Sequence, residues 1–339
     1  MADSAGTAFI AALAGDVDRL LAAEPEVRSD ADDSVHQMRV ATRRLRSVLR
    51  SYRMLLQRDR ADEISQELKW LAGLLGVARD AEVRADRFET LLAEHAAAAV
   101  EVTDIDTVTG KPAAEDDVAA PRNTVPVTVG EHHVAAPITT AEDVERVTAR
   151  LVAAERARYD GAHAQILAAL DDDRYRALRN TLSDWKSGPP LRPSRAAVPA
   201  PDFFRVVLQR DHERIEAFIR AEPSTDPAER IEMLHDIRKS AKRLRYSCEA
   251  AAEILGAEAT DLGRHAKHLQ SVLGDHRDAI ESCEAIHLRA AEAEAAGENP
   301  ALYHLLAAAE TDAAHHELER YPEAAEALTS HRQAPGQAE

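Results

Sequence analysis

Apolar residues recur at intervals of three and four along most of this chain, the spacing that places them on one face of an α-helix. These segments are rich in alanine and leucine and seldom contain glycine, which favours helices packed through small side chains. Asp33 or Ser34 is expected to cap the second helix. The pattern predicts an all-α protein with helices over residues 8–23, 35–58, 62–100, 141–170, 172–186, 202–221, 227–255, 259–296 and 299–328.

Two segments interrupt the helical pattern. Residues 101–140 are rich in Thr, Val, Pro, Gly and Asp, which predicts an irregular insertion that is either disordered or holds a small β-hairpin around 124–134. Residues 187–201 contain five prolines and form the predicted linker. The expected organisation is a first half, the linker, a second half and a polar tail, over residues 1–186, 187–201, 202–330 and 331–339.

A basic motif occurs once in each half. Residues 36–46 read HQMRVATRRLR, and residues 235–245 read HDIRKSAKRLR, at an offset of 199 residues. A second motif reads LGVARD from Leu75 and LGDHRD from Leu273, at an offset of 198 that also separates Lys69 from Lys267. A repeat of this length indicates a duplicated domain. We therefore predict two tandem up-and-down bundles of about four helices each, related by an internal duplication.

The basic motif places its cations along one face of its helix. In the first copy they fall within an arc of roughly 80° over a length of ~21 Å. Apolar residues lie nearly opposite: Met38, Ala41, Leu45, Val48 and Tyr52 in the first copy, and Leu234, Ile237, Ala241, Leu244 and Cys248 in the second. Arg44 and Arg243 point away from these faces and are expected at the rim or in a salt bridge. The first stripe consists of His36, Arg39, Arg43, Arg46 and Arg50, and the second of His235, Arg238, Lys242 and Arg245.

Both stripes almost lack acidic residues. A single basic helix is typical of a solvated face, but oppositely charged residues one turn away usually stabilise such a face. Unbalanced cations repel one another and destabilise the helix unless an anion neutralises them. Because the same imbalance occurs twice, we predict a paired anion-binding surface.

The composition restricts the classes of protein that remain. A chain of 339 residues is long enough for two domains. The formal net charge of −18 argues against a general nucleic-acid binder. No apolar run is long enough to span a membrane, and the first ten residues do not resemble a secretory signal. Cys248 and Cys283 do not make a disulfide framework and are expected to be buried or inert, which fits a reducing cytoplasm.

Arginine and lysine stripes of this length favour a linear phosphate chain as the ligand. The guanidinium group donates to phosphate oxygens two at a time, lysine adds a mobile charge, and histidine can donate to an oxyanion. Nucleic-acid bases require stacking aromatic residues, and only Tyr52 and Tyr246 lie near the stripes. A phosphate chain without bases is therefore favoured.

The LG-x-x-RD motifs allow two interpretations. Either Arg79 and Arg277 reach the anion while Asp80 and Asp278 orient them, or each pair is a structural ion pair at a helix kink near Gly76 or Gly274. We favour the structural interpretation for the aspartates and leave both open for the arginines.

No motif in the sequence points to catalysis. A phosphate-binding glycine loop, a Gly-x-Ser-x-Gly motif and a His-Glu-x-x-His motif are all absent. The adjacent or i,i+3 histidine pairs lack Cys, Asp or Glu partners for a metal. We expect a non-catalytic protein without a metal or cofactor, since cleaving phosphate bonds usually requires metal-holding carboxylates near the cations.

The two motifs together resemble the CHAD family, the conserved-histidine α-helical domain. The resemblance covers essentially the whole chain apart from the termini and the insertion. It implies two helical bundles related by a pseudo-twofold, with basic residues of both lining a central pore or groove that binds inorganic polyphosphate. It also suggests association with polyphosphate granules. By position, this role falls to the members of both stripes, although Glu249 occupies the counterpart of Arg50.

The predicted polyphosphate site adds cations from neighbouring segments. It comprises His36, Arg39, Arg43, Arg46, Arg50, Lys69, Arg79, His235, Arg238, Lys242, Arg245, Lys267 and Arg277. The alternative is an interaction module for acidic protein segments or nucleic acid, and a hydrolase or kinase acting on phosphate chains is the least favoured. We predict no membrane partner and leave the oligomeric state open.

Overall fold

The computed structural model describes residues 4–105 and 139–330, with side chains described over 4–96 and 139–330. The described residues form helices joined by short connections and contain no β-strand, which confirms the predicted all-α class. The helices are α1 Ala5–Arg28, α2 Ser34–Ser51, α3 Arg58–Ile105, α4 Ala141–Thr148, α5 Ala154–Leu170, α6 Asp173–Trp185, α7 Pro193–Ala196, α8 Ala200–Ala221, α9 Arg230–Leu255, α10 Ala257–Ala295, α11 Ala301–Glu319 and α12 Tyr321–Thr329. A π-helical turn, Ala149–Ala153, joins α4 to α5.

The second helix ends earlier than the sequence pattern predicts. It stops at Ser51 rather than near residue 58, and a 3-10 turn, Arg53–Leu55, follows it. Leu55 and Leu56 are both buried. Adjacent helical residues point about 100° apart, so a continuing helix would expose one of these two leucines. Asp33 occupies the predicted N-cap position, but its side chain accepts a hydrogen bond from the Gln37 side chain instead of capping a backbone N–H.

Other boundaries also differ from the prediction: α1 extends over Ala5–Arg28 rather than 8–23, and α3 begins at Arg58 rather than at residue 62. The helix predicted over 299–328 is divided at Arg320 because Pro322, in the first turn of α12, cannot continue a preceding helix. Residues 101–105, assigned to the insertion, form the end of α3. The remainder of that insertion up to residue 138, including the predicted hairpin, lies outside the described residues.

Helices of both halves contribute to each hydrophobic core. The larger core includes α1, α2, α8, α9 and α12 together with the first parts of α3 and α10. The apolar faces predicted opposite the stripes are buried in it, which confirms the orientation of both basic helices. A smaller core joins the later parts of α3 and α10 to α11 and the π-helical turn. Helices α2 and α9 contact each other within the larger core. The basic stripes, which lie on the other faces of these two helices, therefore have a fixed position relative to each other.

The proline-rich segment packs against the first half. The Arg192 backbone N–H donates to the Leu55 carbonyl at 2.7 Å, and the Ala5 N–H donates to the Val198 carbonyl at 2.7 Å. A methyl group on Gly6 would lie 2.8 Å from the Cβ of Ala196, so glycine is required for this approach. These contacts tie the segment to α1 and to the turn that follows α2.

Candidate functional site

The two basic stripes meet around Lys242. Its ammonium group lies close enough to Arg43 and Arg39 of α2 and to Arg238 and Arg245 of α9 to be affected by their charges. Burial, followed by the charges of these neighbouring cations, lowers the pKa of Lys242 to about 6. The contact between α2 and α9 therefore combines the stripes into one cationic site.

A cavity of about 540 Å³ opens beside this contact. Its wall combines α2, the 3-10 turn, α3, α8 and α9. It contains two acidic side chains, of which Asp236 pairs with Lys239 at 2.6 Å and Asp62 with Arg58 at 3.7 Å. Its eight cationic side chains are Arg43, Arg46, Arg50, Arg53, Arg214, Lys239, Lys242 and Arg243. We refer to it below as the basic cavity.

Most cations of the basic cavity have no counter-ion. Within the described part of the chain, six of them form no ion pair: Arg43, Arg46, Arg50, Arg53, Arg214 and Lys242. Burial, followed by neighbouring like charges, lowers the pKa of both Arg43 and Arg46. The direction shows that their charged forms are disfavoured in the ligand-free protein, so an anion in the cavity would relieve a repulsion that is already present.

Arg44 and Arg243, expected at the rim or in a salt bridge, both form salt bridges, and Arg243 also lines the basic cavity. Arg44 pairs with buried Asp16 of α1 at 2.5 Å and also contacts Glu249 of α9. Arg243 pairs with buried Asp211 of α8 at 2.8 Å. Each basic helix is thus fixed to the first helix of its own half by a buried arginine–aspartate pair.

Further hydrogen bonds hold Asp211 in place. Its Oδ2 accepts from the hydroxyls of Ser51 and Ser247, both at 2.8 Å, and the Arg243 Nε donates to Ser51 Oγ at 3.1 Å. Asp211 also pairs with Arg210 at 3.3 Å, so its charge is shared between Arg243 and Arg210.

In the first half, acidic residues pair with the arginines around the motif histidine. Arg39 pairs with Asp80 at 3.0 Å, and Arg79 pairs with Glu82 at 2.8 Å. Burial lowers the pKa of His36, and the charge of Arg79 lowers it further. Asp80 therefore orients a stripe residue, while Arg79 lies beside the histidine with its own carboxylate partner.

Similar contacts occur in the second half. Burial, and then nearby cations that include Arg277, lower the pKa of His235, and Arg277 pairs with Glu281 at 2.6 Å. Burial raises the pKa of Asp278, which the charge of Arg238 partly offsets. Helices α3 and α10 each continue without a break through the glycine of their LG-x-x-RD motif.

Three buried nitrogen atoms in the stripes lack a hydrogen-bond partner among the described residues. They are Nε of Arg39, Nε of Arg238 and Nδ1 of His235. Buried polar atoms without a hydrogen-bond partner are rare, and a ligand or a water molecule often supplies the missing hydrogen bond.

Of the thirteen predicted site residues, four line the basic cavity: Arg43, Arg46, Arg50 and Lys242. The other nine lie outside it: His36, Arg39, Lys69, Arg79, His235, Arg238, Arg245, Lys267 and Arg277. Arg245 pairs with Glu249 at 2.8 Å. Together with Lys267 it lines a separate cavity of about 230 Å³. Lys69 is exposed on α3, one helical turn beyond the cavity residue Ser65. The structure does not bring Lys69 or Lys267 into contact with the basic cavity.

Sequence reasoning missed several residues of the basic cavity. Arg53 and Lys239 lie in the two basic segments, and their cationic neighbours were a usable signal. Arg214 belongs to α8, outside both motifs, and no sequence pattern marks it. Tyr52, considered as a stacking residue, is fully buried and donates its hydroxyl to the Ser247 carbonyl at 2.9 Å, so it is not available to a ligand.

No helix in the described ranges, residues 4–105 and 139–330, is long and apolar enough to cross a membrane.

Known proteins resemble this chain in sequence and in fold. Two uncharacterized proteins of Mycobacterium tuberculosis, from strains CDC 1551 and H37Rv, are each 32% identical over 303 residues, or 89% of this chain and 49% of each relative. The chain therefore spans about half the length of the curated relatives it matches.

Two solved structures have a similar fold. PptA from Streptomyces chartreusis has a TM-score of 0.66 at 18% identity, covering 95% of this chain and 99% of its own. The CHAD domain from the plant Ricinus communis has a TM-score of 0.57 at 20% identity, covering 98% of this chain and 94% of its own. Residues 11–287 match the family model of the CHAD domain. With a match over most of its length, this chain belongs to the CHAD domain family.

Proposed function

We propose that this protein binds inorganic polyphosphate in the basic cavity without cleaving it. The observation that carries the proposal is the convergence of six cations that have no counter-ion among the described residues, contributed by α2, the 3-10 turn after it, α8 and α9. Each guanidinium group can donate to two phosphate oxygens, and a chain of phosphates supplies acceptors at regular short intervals. Association with polyphosphate granules would follow from such binding.

The remainder of the molecule favours a selective site over general polyanion binding. The formal net charge is −18, so the surface outside the basic cavity repels most polyanions. Tyr52 and Tyr246, the two aromatic residues expected near the stripes, are both buried, and the wall of the basic cavity adds the half-buried Phe218. These two features favour a phosphate chain over a nucleic acid, whose bases require accessible aromatic surfaces.

The carboxylates of the cavity support a non-catalytic role. Asp62 and Asp236 are both engaged by cations. In the part of the chain that the structure describes, no group of three or more His, Cys, Asp or Glu residues is placed to hold a metal ion. Cleavage of phosphate chains usually depends on metal-holding carboxylates.

Calorimetric titration with long-chain polyphosphate tests the proposal. We expect binding to the unmodified protein and a loss of roughly 100-fold in affinity in the double variant Arg43→Gln/Arg46→Gln, since a hydrogen bond to a charged group contributes about 1.5–3 kcal/mol. The matched control is Arg176→Gln/Arg320→Gln, which removes the same charge from exposed ion pairs on other helices. The control should bind as the unmodified protein does.

Competition and hydrolysis assays separate the alternatives. Single-stranded RNA or an acidic peptide that binds as tightly as polyphosphate at equal charge and salt would contradict selective binding. Release of phosphate in the presence of magnesium would contradict the non-catalytic role.

A further inference from the structure

The positive charge of the site is concentrated at one end. A second cavity, of about 380 Å³, adjoins the basic cavity and shares Arg50, Arg53, Arg214 and Arg243 with it. Its other two lining residues are Arg210 and Asp211 of α8. Five arginines therefore surround one aspartate, and that aspartate is already bonded to Arg243, Arg210, Ser51 and Ser247.

The arginine side chains of this second cavity lie close together. The charges of Arg210, Arg50 and Arg214 each act on the guanidinium of Arg243. Arg210 is held in place because its Nη2 donates to the Ser51 carbonyl at 2.7 Å. Arg50, Arg53 and Arg214 are exposed and form no ion pair with any described residue, so they are free to fold onto an anion.

The corresponding end of α9, the basic helix of the second half, lacks this positive charge. At the motif offset of 199, Glu249 stands where the first half has Arg50, and Ala252 stands where it has Arg53. The separate cavity of about 230 Å³ at this end of α9 is lined by Arg245, which pairs with Glu249, by Arg264, which pairs with Asp261, and by Lys267. Arg50 and Arg53, which extend the first stripe, therefore have no cationic counterpart in the second, and the arginine cluster lies beside the end of α2.

A polyphosphate chain has a matching asymmetry. Each interior phosphate carries one negative charge and two free oxygens, whereas a terminal phosphate has three free oxygens and gains a second charge with a pKa of about 6. Arginine clusters bind best where charge and acceptor density are highest.

We propose that the cavity formed by Arg50, Arg53, Arg210, Arg214 and Arg243 is a subsite for the doubly charged terminal phosphate of the chain. This inference rests on the proposed function and deepens it, since it makes the protein a binder of chain ends. Interior phosphates then extend from the subsite past Arg46 and Arg43 toward Lys242.

Linear and cyclic phosphates of equal charge test the subsite. Linear tetraphosphate and cyclic hexametaphosphate each carry about six negative charges at pH 8, above the second ionisation of the terminal groups, but only the linear compound has ends. We expect the linear compound to bind at least about tenfold more tightly, which corresponds to ~1.4 kcal/mol. Affinities within about twofold of each other would overturn the subsite.

A double variant tests whether these arginines cause the preference for the linear compound over the cyclic one. Arg53→Gln/Arg214→Gln changes two exposed residues without ion pairs among the described residues and should reduce the linear preference to about twofold or less. Both residues also line the basic cavity, so the affinity for cyclic hexametaphosphate, which has no ends, measures the accompanying loss of general binding. Arg176→Gln/Arg320→Gln should keep the full preference. An unchanged preference in the first variant would overturn the assignment. Absence of long-chain binding to the unmodified protein would reject the proposed function itself, a separate result.

Discussion

The surroundings of Lys242 destabilise the charged form of its ammonium group. It is surrounded by guanidinium groups from both basic helices, and no carboxylate pairs with it among the described residues. Its pKa falls from 10.5 to about 6. Two of our predictions concern this residue, because its protonation couples the stability of the fold to the occupancy of the site.

The first prediction concerns stability. Between about pH 6 and pH 10.5, the unfolded chain keeps a proton on Lys242 that the folded chain has lost. The free energy of unfolding therefore contains a contribution that rises with pH through this window. Lys242→Met removes the contribution and should raise the free energy of unfolding by about 1–2 kcal/mol near pH 7. Urea denaturation at pH 6.5, 7.5 and 8.5 measures both effects, and a variant less stable than the parent would contradict the prediction.

The second prediction concerns binding. Phosphate beside Lys242 favours the charged ammonium, so polyphosphate binding at pH 8 should take up a proton and weaken as pH rises. Calorimetry in two buffers with different ionisation enthalpies measures the uptake. In Lys242→Arg the cation stays protonated throughout, and the uptake should decrease by the share due to Lys242. Equal uptake in both proteins would contradict this role.

At the scale of the helices, two buried arginine–aspartate pairs hold the basic helices in place. Arg44 with Asp16 fixes α2 to α1, and Arg243 with Asp211 fixes α9 to α8. Both arginines are among the positions that point away from the stripes. The pairs therefore hold each helix in the rotation that directs its stripe toward the other helix.

Removing either aspartate should be strongly destabilising. Asp211→Ala leaves the half-buried Arg243 without its carboxylate, at a cost of about 3–5 kcal/mol in the free energy of unfolding. Asp16→Ala should cost an amount at or below the lower end of this range, because Arg44 keeps its contact with Glu249. Asp173→Ala, at an exposed ion pair, is the control and should cost less than about 1 kcal/mol. Chemical denaturation measures all three. A loss at Asp211 no larger than the control's would show that the pair does not fix α9.

Across the whole molecule, the basic cavity is a local exception to an acidic protein. The cavity has six more cations than acids, from eight cations and two acids, whereas the whole chain carries −18. Long-range repulsion from the surface and short-range attraction in the cavity therefore oppose each other. Salt screens both effects, but release of counter-ions from a polyanion dominates the observed affinity.

The salt dependence follows from the number of unbalanced cations. If about six phosphates are neutralised, the logarithm of the binding constant should fall with the logarithm of salt concentration at a slope of roughly −4, at about 0.7 per charge for a single-stranded polyanion. Arg43→Gln/Arg46→Gln should make the slope shallower by roughly 1.4. Titrations at several salt concentrations measure both slopes, and an unchanged slope would exclude these residues from the site.

Much of the fold follows from the sequence pattern, and its exceptions have local causes. The three-and-four spacing identifies the helices because burial of one face is what a helix in a core requires. The early end of α2 depends on the burial of both Leu55 and Leu56, and that burial requires the proline-rich segment, which is distant in sequence. The domain boundaries and the internal duplication remain predictions from the repeated motifs.

The sequence by itself determined which residues carry the positive charge and which helix faces are apolar. Those properties depend on residue identity and on helical periodicity alone. Only the tertiary structure decided that the stripes meet at Lys242 and that Arg214 lines the cavity. It also decided that Arg44 and Arg243 form ion pairs with buried aspartates. The reason is physical: a counter-ion or neighbour far away in the chain leaves no local pattern, and the packing of α2, α8 and α9 brings these groups together around one cavity.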